Sequence, residues 1–175
     1  SAPQYVSALQ LKGELLQTTG DSNSAAQAFE ALGDVYRTSE AADKALAAYR
    51  QCLQLAPGNN KALWNQAELV HELEGAVAAR PHYRQWIKAR RDSVDQDQYI
   101  ADLKHVLEFM PDSVTLLREI TETYIAAGFA SDALPYLADL ADMLETEGDY
   151  AGAAQAHETA LSHSPVPDPN THVKV

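Results

Sequence analysis

Residues 26–59 read AQAFEALGDVYRTSEAADKALAAYRQCLQLAPGN, and this stretch decides the fold. Two amphipathic helices are legible in it, joined near Ser39-Glu40 and closed by Pro57-Gly58. In the first, Phe29, Leu32, Gly33 and Tyr36 recur at steps of three and four and so share one face. In the second, Ala45, Ala48, Tyr49, Cys52 and Leu53 do the same. Gly33 and Ala45 are small where the two helices should cross, which lets the axes approach closely.

Outward from this pair the pattern recurs. Towards the N-terminus, a helix over 3–19 carries Tyr5, Leu9, Gly13 and Leu16 towards one side. Gly20-Asp21-Ser22-Asn23 breaks it and supplies a cap. The helix over 23–37 then serves twice, closing one pair and opening the next. Beyond Pro57, the stretch 61–74 repeats the spacing with Leu63, Ala67 and Val70, and Gln66 stands where Leu is expected. Gly75 ends that helix. Ala79 and Tyr83 open its partner, with Pro81 expected in the first turn. Ser93-Val94-Asp95-Gln96 reads as a capping box for a helix ending near Met110. Tyr99-x3-Leu103 places a large residue where a small one is wanted, so looser or shifted packing is expected there. The spacing is clear again from Leu117 through Ile120, Tyr124, Gly128, Ala133 and Leu137 to Leu144, Gly148, Ala153 and His157. The helix over 131–147 again serves two pairs, with Pro135 expected to kink its start. A helix recurs about every 18 residues, which predicts about nine antiparallel helices in an all-α chain. Residues 166–175 have no periodicity and read as an extended tail after a repeat domain over 1–165.

Composition narrows the function. The 175 residues are 46% hydrophobic and 7% aromatic, and lack the β-branched runs of a sheet. The net charge of −12 and a pI near 4.7 argue against a nucleic-acid binder, which needs a basic face. A charged partner would be basic. One cysteine, Cys52, excludes an internal disulfide framework and reads as a buried, inert thiol. No stretch approaches the roughly 20 apolar residues of a membrane span, so no membrane association is expected. Cytoplasmic residence follows, or periplasmic residence if a leader preceded Ser1.

Phe29-x2-Leu32-Gly33-x2-Tyr36, then Ala45-x3-Tyr49, then Pro57 resembles the tetratricopeptide repeat, a helix–turn–helix unit of 34 residues. Phe29 and Tyr49 are aromatic substitutions within that signature. The resemblance covers about residues 6–165, strongly at 26–59 and 134–165 and weakly at 80–111, with Pro111 and Pro165 in repeat-closing positions. It implies a right-handed helical solenoid whose first helices line a concave, partner-binding face. Some members hold a C-terminal carboxylate with a Lys-x3-Asn pair, an Asn on the next first helix and a basic pair on the third. Asn65 fits the middle element, but Glu30 and Asp34 stand where Lys and Asn would be needed, the wrong charge for an acidic tail. By the same alignment Glu30, Asp34, Asn65, Glu68, Glu72, Glu119, Glu122, Asp139 and Asp142 project towards the concave side.

Signatures of catalysis are missing. His71-Glu72 begins a zinc-protease motif, but Gly75 replaces the second His, which leaves a solvent-facing pair. His157 and His163 fall on different helix faces and make poor common ligands. No phosphate-binding glycine loop and no strand–turn–helix setting for a nucleophile occur. No catalytic residue, cofactor or metal is therefore expected. The sharpest local feature is basic: Arg80, Arg84, Lys88 and Arg91 form one helical stripe, joined by Arg90, with no acid between Arg80 and Arg91. This is a solvated helix face or a docking patch for an acidic partner, including an acidic face of another copy. Tyr83 and Trp86 fit core positions.

These readings converge on a non-enzymatic scaffold that takes a basic or amphipathic protein segment in its groove. Two alternatives stand beside it: a regulatory or recruiting domain of a larger enzyme, such as a glycosyltransferase, and a self-associating scaffold in secretion or polysaccharide export.

Overall fold

The computed structural model describes residues 2–164, so the expected tail and Pro165 lie outside the described residues. The chain is all-α. Its helices are α1 (Ala2–Thr18), α2 (Ser22–Thr38), α3 (Ala42–Leu55), α4 (Asn60–Glu74), α5 (Ala76–Arg90), α6 (Gln96–Phe109), α7 (Val114–Ala126), α8 (Ala130–Glu147) and α9 (Tyr150–His163). The described residues fall into two compact units, divided between Ser93 and Val94.

In the first unit, Asp34 and Tyr36 of α2 meet Tyr49 and Lys44 of α3, respectively. Rising numbers on one helix meet falling numbers on the other, so the pair is antiparallel. The crossing is made by glycine. A Cβ on Gly33 would lie 2.6 Å from the Tyr49 ring, and one on Gly13 would lie 2.9 Å from the Phe29 ring. Each ring follows its glycine by 16 residues, so one packing device is used twice, at α1–α2 and at α2–α3. Phe29, Ala45, Tyr49 and Cys52 are all buried. Burying a side chain as large as Phe contributes roughly 1.5–3 kcal/mol. In α4–α5, Ala67 and Tyr83 stand at the same offset and are both buried. Tyr83 also meets Trp64, with ring centroids 5.6 Å apart, and Trp64 meets Trp86 at 4.7 Å.

In the second unit, Tyr99 of α6 donates to Glu119 of α7 at 2.6 Å. Tyr99 and Leu103, the large residues for which looser packing was expected, are both buried. Tyr124 of α7 stacks on Tyr136 of α8. Leu117, Leu137, Leu140, Leu144 and Ala153 form the core across α7, α8 and α9.

Two local expectations are corrected. Ser93 does not cap α6. Its hydroxyl donates back to the carbonyls of Ala89 and Arg90 at the end of α5. Asp95 is the cap, accepting from the Gln98 amide at 2.8 Å. Pro81 is not in the first turn. Gly75, at φ 91°, starts α5 directly after α4, so Pro81 is its sixth residue. Pro135 holds the same place in α8. Proline supplies no N–H, so the Val77 and Ser131 carbonyls lose their helical donor; both residues are exposed, where water can serve instead.

Candidate binding face

Alternate helices α2 and α4 carry polar side chains that reach each other. Lys61, in the first turn of α4, lies 2.5 Å from Asp34 Oδ2 and 3.2 Å from Glu30 Oε1. Asn59 caps α4 through the Ala62 amide and donates to Glu30 at 2.7 Å. One turn further along, Arg37 donates to Glu68 at 2.7 Å and to the Asn65 carbonyl oxygen. Contacts advance in the same direction on both helices, so α2 and α4 run parallel. The ladder repeats at 27 to 31 residues, close to one repeat length.

The Tyr49 hydroxyl, from α3, donates to Asp34 at 2.8 Å. Burial, then this hydrogen bond, raises its pKa. The hydrogen bond to Asp34 raises the Lys61 pKa against a smaller opposing effect of burial. For Arg37, burial acts against the charge, but the Glu68 hydrogen bond and its negative charge outweigh it. Tyr83 is pushed up to about 12 by burial, with the Glu68 and Glu72 charges adding to it. His71 is half-buried, its Nδ1 at 3.2 Å from the Tyr83 hydroxyl, so the solvent-facing placement expected for it is wrong.

One stretch of the chain is similar to a known repeat family. The tetratricopeptide-repeat profile matches residues 26–59, the α2–α3 pair with its closing turn. No curated protein matches the sequence significantly. Solved structures with a similar course include MamA, 14% identical over 85% of this chain and 96% of that one, with a TM-score of 0.34. BtubC from P. vanneervenii is 15% identical over 97% and 85%, at 0.45. Pseudomonas aeruginosa pilF is 18% identical over 94% and 79%, at 0.41. Likenesses this distant carry no argument about function. Stacked repeats of this kind present extended surfaces for protein partners.

Within the first unit, the repeat brings Glu30, Asp34, Asn65, Glu68 and Glu72 to one face. Asn65 is buried and Glu72 exposed. Arg37 and Lys61 complete this face and were not among the residues singled out by spacing. Their signal was present: each lies about one repeat from a residue of opposite charge. Four carboxylates against two cations leave the face with two negative charges.

The other predicted residues sit in the second unit. Glu119 is held by Tyr99, and Glu122 is exposed beside Arg118 on α7. Asp139 and Asp142 are exposed on α8, on the side away from Leu137, Leu140 and Leu144. In the basic stripe, Arg84, Lys88 and Arg91 are exposed and Arg80 is half-buried. Arg90 leaves the stripe to lie over the Trp86 ring, 5.6 Å from its centroid. Cys52 is fully buried, its thiol pushed up to about 11 by burial and by Glu30 and Asp34, in keeping with an inert group.

Proposed function

We propose that the chain is a non-catalytic interaction scaffold that holds a basic or amphipathic polypeptide segment along the α2–α4 face. The observation that carries this reading is the ladder itself. Arg37 and Lys61 fix Glu30, Asp34 and Glu68 in place, so the face is pre-organised. Its negative excess, with Glu72 exposed at one end, favours cationic side chains and opposes acidic tails. Glu119, Glu122, Asp139 and Asp142 lie on the second unit and add acidic charge there.

Fluorescence anisotropy with two labelled helical peptides tests it, one with Lys and Arg on its polar face and one with Glu there. The basic peptide is expected to bind and the acidic one not. Affinity should fall as salt shortens the screening length from about 30 Å at 0.01 M to about 8 Å at 0.15 M. Glu68→Lys with Glu72→Lys should weaken the basic peptide. Equal binding of both peptides, or indifference to this reversal, would sink the reading.

A further inference from the structure

Charge is divided unevenly along the chain. Residues 1–93 hold ten Lys and Arg against ten Asp and Glu, whereas residues 94–175 hold three against fifteen. The whole net charge of −12 therefore lies on the second unit. Within each unit one helix is extreme. Helix α5 has four cations and no acid, while α8 has five acids and no Lys or Arg. In both, the exposed charges lie on the side away from the core. Arg84 and Lys88 are exposed on the side of α5 opposite buried Tyr83 and Trp86. Asp132, Asp139 and Asp142 are exposed on the side of α8 opposite Leu137 and Leu144.

We propose that the α5 stripe docks on the α8 stripe of a second copy of this chain, giving head-to-tail association. The occupant is fixed by complementarity. The basic stripe of α5 and the acidic stripe of α8 are on different units, carry opposite charge, and are present in equal number in any solution of the protein. Such a contact is heterologous, since the two patches differ. It leaves one α5 stripe and one α8 stripe open in every complex, so growth continues unless a ring closes. This inference is independent of the α2–α4 reading.

Sedimentation velocity of the full chain over a range of concentrations provides the test. At low salt the mass should rise with concentration, and at about 0.5 M salt it should fall back towards the monomer. Arg84→Glu with Lys88→Glu sets acid against acid, and Asp139→Lys with Asp142→Lys sets base against base. Each variant alone should associate at least about tenfold more weakly. Mixing the two variants restores opposite charges at the contact and should restore association. Recovery in the mixture excludes misfolding as the cause of the loss. A monomer at every concentration and salt would overturn the proposal, as would association unchanged by either reversal or not restored in the mixture.

Discussion

At the scale of single residues, the fold depends on rings that need an absent side chain. Gly33→Ala would drive a methyl group into the Tyr49 ring at 2.6 Å. Overpacking of this kind costs about 1–3 kcal/mol. Thermal unfolding should show a clear loss for Gly33→Ala and little change for Gly58→Ala, which meets open space. Equal melting temperatures would mean that the crossing yields freely. Titration makes a second prediction. The Cys52 thiol rises from 9.0 to about 11, and the Tyr83 hydroxyl from 10.0 to about 12. Each is protonated in the native state where the unfolded chain has released its proton. The stabilisation is complete below the unfolded values and is lost as pH climbs through the folded ones. The raised pKa of Lys61 acts in the same sense. The urea midpoint should therefore fall between about pH 9 and pH 12, less steeply in Cys52→Ala between pH 9 and 11. A flat midpoint over that range would show that these groups reach solvent in the native state.

At the scale of elements, most of the fold was legible because periodicity is written locally. Leu32, Leu63 and Leu137 sit where their spacing put them, and both shared helices appear as α2 and α8. Capping was less legible. Ser93 and Asp95 both precede α6, and the sequence cannot say that the carbonyls at the end of α5 capture the Ser93 hydroxyl first. Asp95→Ala should cost about 1 kcal/mol. Ser93→Ala should stay within about 0.5 kcal/mol. Denaturant unfolding distinguishes them, and the reverse order would restore Ser93 as the cap. The candidate face was half legible for a related reason. Its acids follow from aligning repeats, whereas Arg37 and Lys61 matter only through partners about one repeat away, a distance at which helical periodicity is silent.

At the scale of the whole molecule, charge carries both interaction proposals. Individual exposed pairs contribute only about 0–1 kcal/mol, so neither surface is a large source of stability. Their effect lies in which partner is attracted and how fast. No helix among the described residues is long and apolar enough to cross a membrane. We propose that the acidic excess on α2–α4 sets which partner the repeat selects. Amide chemical-shift mapping with the basic helical peptide tests that claim most directly. The account predicts that shifts concentrate on α2 and α4, around Asp34, Arg37, Glu68 and Glu72, and vanish in the Glu68→Lys, Glu72→Lys variant. Shifts confined to other helices, or persisting in that variant, would contradict it.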